Sequence, residues 1–338
     1  MDTRDFMKAQ IDANPYLLAP MAGWTDAVYR ELCREFGSGL ACTEMVSAQG
    51  LEHGSAHTEE YLAVRPGEDR VIVQLFGRDP AVIARQAAHV EELLGDRLAA
   101  IDLNMGCPAH KVVRKGEGSA LMKEPELAAQ IVREASSAID IPLTVKFRRG
   151  YETGNETAVE FARLMEDAGA AAMCVHGRYS RDFYHGKADW GVIARVKEAV
   201  DVPVIASGDL MSAAAVLDCL EQTGADGAGI ARGAQGNPWI FGQVRELAER
   251  RASGDASWEP APVPLEERIR VARMHVERLA GVHEREPVKM RTYFAPYFKG
   301  MPAASRYRGE VMSCRTLEDF EEFFDRMWAE ALERGYAE

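Results

Sequence analysis

The 338-residue sequence predicts an α/β protein, a (β/α)8 TIM barrel followed by a small all-helical C-terminal domain. Three observations carry that expectation. Eight short apolar runs lie between residues 16 and 231, segments of helical period separate them, and the composition changes at residues 252–264, beyond which only helical spacing is found. A barrel of this kind takes roughly 250 residues, which leaves a second unit of modest size.

The runs are YLLAP (16–20), LACTEM (40–45), VIVQLF (71–76), AAIDLN (99–104), PLTVKF (142–147), AAMCVH (171–176), PVIAS (203–207) and DGAGIA (226–231). They lack polar alternation, as parallel strands covered on both faces do. Asp79-Pro80 opens a helix whose Val82, Ile83, Ala87, Val90 and Leu93 follow a 3.6 period, and Pro125 precedes Leu127, Ile131 and Ala135 in a second. A third is expected over Asn155–Ala168, ending at Gly169, and Ser212 caps a fourth through Val216 and Leu220 that stops before Gly224. A doubly wound open sheet is the alternative, but no Gly-x-Gly-x-x-Gly follows the first strand. ASGDASWEPAPVP, rich in Pro, Ser and Gly, reads as a linker. The expected divisions are therefore a catalytic barrel at 1–250, a linker at 251–264 and a helical domain at 265–338. In the last, Leu265, Ile269, Ala272, Val276 and Leu279 step at helical spacing, as do Leu317, Phe320, Phe324, Met327 and Ala331.

Forty Lys and Arg against 53 Asp and Glu give a net charge of -13, which argues against a surface coated in positive charge for non-specific nucleic-acid binding. A local basic surface is compatible with it. No apolar run approaches the ~20 residues of a membrane helix, and MDTRDFMKAQ lacks the apolar stretch of a secretory signal, so a cytoplasmic protein without membrane contact is expected. The six cysteines include no CxxC pair; free thiols, no metal site and a monomer are the expectations. Residues 285–309 hold six cations (Arg285, Lys289, Arg291, Lys299, Arg306, Arg308) against Glu286 alone. That stretch is either a solvated helical face or a grip for nucleic acid. Tyr293, Phe294, Tyr297 and Tyr307 lie among the cations and suit either stacking on unpaired bases or a helical core.

In such a barrel the working residues stand at the C-terminal ends of the strands. Those ends carry Pro20-Met21, Glu44, Gln74, Asn104, Lys146, His176, Gly208-Asp209 and Arg232. Ser207-Gly208-Asp209 and Arg232-Gly233 end the seventh and eighth runs, where barrels frequently bind a phosphate. His176 either reaches the same phosphate or is structural. Cys107 follows Gly106 and precedes Pro108, which presents its thiol on a loop as nucleophile or proton donor. Cys33, Cys42, Cys174 and Cys219 read as inert core residues. Lys146 suits Schiff-base chemistry or stabilisation of negative charge on a cofactor ring. His110, Lys111, Arg114, Lys115, Arg148, Arg149, Arg178 and Arg181 are expected in mouth loops, a basic rim that favours an anionic ligand.

At these residues the sequence resembles the tRNA-dihydrouridine synthases, and within them the bacterial B-type subgroup. The matching stretches are Ala19-Pro-Met-Ala-Gly-Trp-Thr-Asp26, Thr43-Glu-Met45, Asp102-Leu-Asn-Met-Gly-Cys-Pro108, Gly118-Ser-Ala-Leu121, Val145-Lys-Phe-Arg-Arg-Gly150, Val175-His-Gly-Arg178, Ser207-Gly-Asp209 and Gln235-Gly-Asn-Pro-Trp-Ile-Phe241. The resemblance implies bound FMN reduced by NADPH, with tRNA as substrate. It implies that Pro20, Met21 and Ala22 line the flavin, that Gln74 and Lys146 hold its pyrimidine edge, and that His176, Gly208, Asp209, Ala231 and Arg232 surround its phosphate. Asn104, Arg148 and Arg178 are implied at the target uracil, and Lys289 and Arg291 at the tRNA. Hydride would pass to C6 of the base, and Cys107 would protonate C5 as general acid. An FMN barrel oxidoreductase acting on a free pyrimidine or other small molecule is the alternative.

Overall fold

The computed structural model describes residues 2–255, 258–283 and 285–336, so residues 256 and 257 of the expected linker and residues 284, 337 and 338 of the expected helical domain lie outside the described residues. Eight parallel strands close into a barrel in sequence order: β1 (Tyr16–Leu18), β2 (Ala41–Ser47), β3 (Val71–Phe76), β4 (Leu98–Met105), β5 (Leu143–Gly150), β6 (Ala172–Tyr179), β7 (Val204–Ser207) and β8 (Gly227–Ile230). Leu18 of β1 meets Ala41 of β2, and Tyr16–Leu18 meets Ala228–Ile230 of β8, which seals the ring. Each expected run forms one strand. Every residue of β4 and β6 is buried, the reason those runs lack polar alternation.

Two strands outlast their apolar runs. β5 and β6 stay paired through Arg148 with His176 and Gly150 with Tyr179, so Arg148, Arg149 and Arg178 stand on strands and not, as expected, in loops. The helix expected from Asn155 begins at Ala158. Its preceding backbone donors are spent on a return turn, Asn155 N–H on the Glu152 carbonyl and Thr157 N–H on that of Arg149. Elsewhere the caps are those the sequence implies. Asp79 accepts from Val82 N–H at 3.1 Å, Ser212 from Ala215 N–H at 3.2 Å, and Gly224 adopts φ 63°. A helix at Thr3–Ala13, which the apolar pattern does not announce, plugs the barrel floor: its Met7 and Ile11 are buried among Leu17, Cys42, Ile72, Cys174 and Ile205.

The C-terminal region is helical, with Leu265–Ala280, Met290–Tyr297, Ala304–Glu310 and Leu317–Glu333 as its α-helices. Here the base-stacking reading of the aromatics is corrected. Tyr293, Phe294, Tyr297 and Tyr307 are at most 1% exposed, because helical spacing gathers them on faces that pack inward. Tyr293 lies 4.7 Å from Trp24 and 4.5 Å from His275 between ring centroids, and stacks on Tyr29 at 5.9 Å. Its hydroxyl donates to Asp26 at 2.8 Å, and Arg278 pairs with Glu35 at 2.9 Å. Barrel and helical region thus share one continuous core, and the helices brace the loop that follows β1.

His275 sits in that junction with its Nδ1 3.2 Å from the Tyr297 hydroxyl and its Nε2 without a hydrogen-bond partner. Burial pushes its imidazole down to about 4. The unfolded chain, titrating near ~6.5, takes up this proton first as pH falls, so stability is full above that value and declines toward about 4. For one fully buried group the loss amounts to about 3 kcal/mol. Thermal melts from pH 7 to 4 should therefore fall less steeply for His275→Phe than for the parent chain; parallel curves would remove His275 as the cause.

Candidate functional site

The carboxyl ends of the strands surround a cavity of about 330 Å³. Its wall includes Pro20, Met21, Ala22, Gln74, Lys146, His176, Gly208, Asp209, Ala231 and Arg232, together with Asn104, Cys107 and Arg148. Barrel closure brings these together from positions between 20 and 232. Arg178, Lys289 and Arg291 are not on the wall.

On one side a chain of buried side chains runs along β3, β4 and β5. Asp102 accepts from Thr144 Oγ1 and from Gln74 Nε2, both at 2.6 Å. Gln74 Oε1 in turn accepts from Asn104 Nδ2 at 2.8 Å, and Asn104 Oδ1 accepts from the backbone N–H groups of Cys107 at 2.9 Å and Gly106 at 3.2 Å. Each amide keeps one further N–H, so this wall offers donors to a ligand carbonyl. Lys146, paired with Asn104 across β4 and β5, adds an ammonium to the same wall.

The other side is cationic. Gly208 has φ 112°, and a Cβ there would come within 2.7 Å of the His176 ring, so only glycine permits this approach. Asp209, at φ 58°, accepts from Arg178 Nη2 at 2.7 Å, Arg232 Nη2 at 3.0 Å and Ala188 N–H at 2.8 Å. Burial works against its charge, but Ala188 N–H, Arg178 and Arg232 outweigh that and hold the carboxyl below its ordinary range. Asp209 is therefore an anchor for two guanidiniums. Burial, joined by Arg148, Lys146, Arg178 and Arg232, pushes the His176 imidazole well below its usual range and keeps it neutral. Four cations around one neutral ring, with Asp209 as counter-charge, leave a surplus that an anionic group satisfies. A ring edged with carbonyls and bearing a phosphate, as FMN is, fits this pairing of donor amides and cationic end.

Two of the expected base contacts are committed elsewhere. Arg148 donates through Nε to the Gly106 carbonyl at 2.8 Å and through Nη1 to those of Phe183 at 2.8 Å and Tyr179 at 3.1 Å. Arg178, 3% exposed, also donates to the carbonyls of His185 and Gly186, which fold the loop after β6 over it. In the helical region Lys289 pairs with Glu286 and lies 4.0 Å from Asp26, while Arg291 donates to the Cys314 carbonyl. The cavity also includes Met45, Tyr184, Met211 and Gln235, which the strand-end reading missed. Tyr184 belongs to the loop after β6, next to Phe183 at φ 51°; its ring lies beneath Arg148 and Arg232 at 5.5 and 5.1 Å. An aromatic in a loop with several cations was its only sequence signal.

Cys107 stands on the loop after β4 and is the one cysteine of the six that is not buried. Its carbonyl accepts from Ser119 Oγ at 2.9 Å and from Ser119 N–H at 3.0 Å, and Ser119 Oγ contacts Ser180 Oγ at 2.5 Å. Burial pushes the thiol up, against the opposing pull of Ala109 N–H, Arg148 and Lys111. It therefore keeps its proton at neutral pH, the state of a proton donor and not of a thiolate nucleophile.

The chain matches the family model for dihydrouridine synthase (Dus) over residues 17–333. It is 38% identical over 303 residues to tRNA-dihydrouridine synthase B of Pseudomonas aeruginosa, covering 88% of this chain and 87% of that one. With the protein of the same name from Vibrio vulnificus it shares 37% over 321 residues, 93% and 97% of the two chains. A probable tRNA-dihydrouridine synthase 1 of Synechocystis sp. is 34% identical over 312 residues, 92% of this chain and 85% of that one. Among solved structures, a 6-hydroxypseudooxynicotine amine oxidase from Pseudomonas geniculata N1 superimposes with a TM-score of 0.50 at 13% identity, over 72% of this chain and 47% of that one, a likeness of fold alone.

Iodoacetamide should modify Cys107 before the other cysteines, with a rate still rising above about pH 8.5, the ordinary thiol value. Peptide mapping of the alkylated protein across pH measures this, and a rate that levels off below that value would mean a thiolate at neutral pH.

Proposed function

This chain belongs to the dihydrouridine synthase family, an enzyme of the oxidoreductase class, and from that premise we propose that it reduces the C5–C6 double bond of specific uridines in tRNA, using FMN reduced by NADPH. The observation that carries the reading is Cys107, the one cysteine that is not buried, on the wall of a cavity whose remaining polar groups suit a flavin. When bound, the reduced flavin supplies the hydride for C6 of the base. The side chains do the rest. Cys107 gives its proton to C5 as general acid. Gln74 and Lys146 hold the pyrimidine edge of the cofactor, and the Lys146 ammonium offsets negative charge there. Pro20, Met21 and Ala22 pack against the ring, while His176, Gly208, Ala231 and Arg232 receive the phosphate. Asp209 serves that end by aiming Arg178 and Arg232. Asn104 keeps one N–H for the target uracil, and Arg148 contributes its charge from the wall.

A base inside folded tRNA must leave its stack to reach such a cavity, at a cost of a few kcal/mol. Phosphate contacts near the mouth can supply that energy, and the charges support a polymer over a free pyrimidine. Lys111, Arg114, Lys115 and Lys187 on the rim are exposed and make no ion pair among the described residues. The same holds for Arg285, Lys299 and Arg308 in the helical region. These cations form the main proposed footprint. Lys289 and Arg291 add less than the sequence suggested, because Glu286 and the Cys314 carbonyl already use their donors.

Two experiments test this reading. Cys107→Ala should still bind flavin and oxidise NADPH but form dihydrouridine at least about 100-fold more slowly, measured by mass spectrometry of digested tRNA; undiminished product would refute the acid assignment. Replacing Lys111, Arg114 and Lys115 together by Ala should weaken tRNA binding and flatten its logarithmic salt dependence by about 0.7–0.9 for each phosphate no longer neutralised. An unchanged slope would put the tRNA elsewhere.

A further inference from the structure

Asp102 is a carboxylate inside the barrel, 5% exposed and off the wall of the mouth cavity, and no cation among the described residues pairs with it directly. Burying such a group is costly, and a packed barrel does not need one. What it holds explains its presence. Burial raises the Asp102 carboxyl, opposed by its bonds from Gln74 and Thr144 and by the charge of Lys146. Both of its oxygens accept, Oδ2 from Gln74 Nε2 and Oδ1 from Thr144 Oγ1, so Gln74 turns Nε2 toward it and Oε1 away. That exposed Oε1 obliges Asn104 to present Nδ2, which leaves Asn104 Oδ1 facing the N–H groups of Gly106 and Cys107. The three steps run in one direction between β3 and β4 and end on the loop that carries the thiol.

Resting on the tRNA-reduction reading, we propose that Asp102 is a positioning residue: it fixes the direction in which the Gln74 and Asn104 amides face, and so keeps donors toward the ligand and the Cys107 loop against the cavity. Asp102 acts on the reaction only through these two amides. Thr144 Oγ1 supplies the second donor that holds the carboxylate in place.

Asp102→Asn has the same shape but carries a donor of its own. The amide chain can then reverse, and in the reversed sense Asn104 Nδ2 confronts the backbone N–H groups of Gly106 and Cys107. In the full-length flavoprotein this variant should melt as a folded protein, show an altered visible flavin spectrum, exchange the Gly106 and Cys107 amides faster, and have Cys107 alkylated by iodoacetamide about fivefold faster, the worth of one net hydrogen bond. Its dihydrouridine kcat should fall while the KM for tRNA is unchanged. An unaltered spectrum with unaltered amide exchange and alkylation would overturn the proposal, even if the melting temperature drops. Gln74→Met breaks the chain at its middle and should reproduce the faster amide exchange; if Asp102→Asn does not fold, normal exchange in Gln74→Met overturns the proposal by itself. Exchange and alkylation are measured without tRNA, so they decide on Asp102 separately from whether the parent enzyme makes dihydrouridine.

Discussion

Closing eight parallel strands into a ring puts every carboxyl end on one rim, and the cavity depends on that closure: Pro20 and Arg232 are neighbours on its wall only because β1 pairs with β8. The ring is sealed on a short strand, three residues long, and its floor is filled by Met7 and Ile11 from the N-terminal helix. Inside such a packed barrel a polar group without a partner costs about 1–3 kcal/mol. Asp102, Thr144, Gln74 and Asn104 avoid that cost by satisfying one another, and the same bonds that keep the interior paired shape the surface a ligand meets.

The site is equally a matter of where protons stay. Burial raises the Cys107 thiol and lowers the His176 imidazole, so at neutral pH one group retains its proton and the other does without a second. Charges nearby act in the sense their geometry dictates. Arg148, Lys146, Arg178 and Arg232 all disfavour a cationic His176, while Arg178 and Arg232 stabilise the Asp209 carboxylate that aims them. At this end Arg148, Arg178 and Arg232, and not the imidazole, then carry the charge that an incoming anion meets.

The strands were legible because a parallel barrel writes itself as uninterrupted apolar runs, and AAIDLN and AAMCVH became strands buried along their whole length. Strand-end positions read the same way: Gln74, Asn104, Lys146 and His176 line the cavity because the fold leaves them nowhere else to point. Charged residues were less legible. Arg178 and Arg291 carry the same formal charge as Lys111, yet their donors are engaged by carbonyls and carboxylates that lie far away in sequence, and residue type alone does not reveal the pairing. Tyr293 and Tyr297 were ambiguous because helical spacing suits a core and a stacking platform alike; the packing against Trp24, Tyr29 and His275 decides it. Tyr184 was overlooked since a loop has no periodicity from which to infer direction.

The aromatic junction has a thermodynamic consequence. Tyr293 grips Asp26 and Trp24, on the same loop as Met21 and Ala22, and so braces one wall of the cavity against the helical region, alongside the Arg278–Glu35 pair and the packing of His275 on Tyr29. Any coupling transmitted through that brace is reciprocal: the factor by which an occupant of the mouth alters affinity for a polymer on the helices is the factor by which the polymer alters affinity for the occupant. Were both surfaces occupied, mouth and helices would form one heterotropic system, with the β1 loop among the contacts they share.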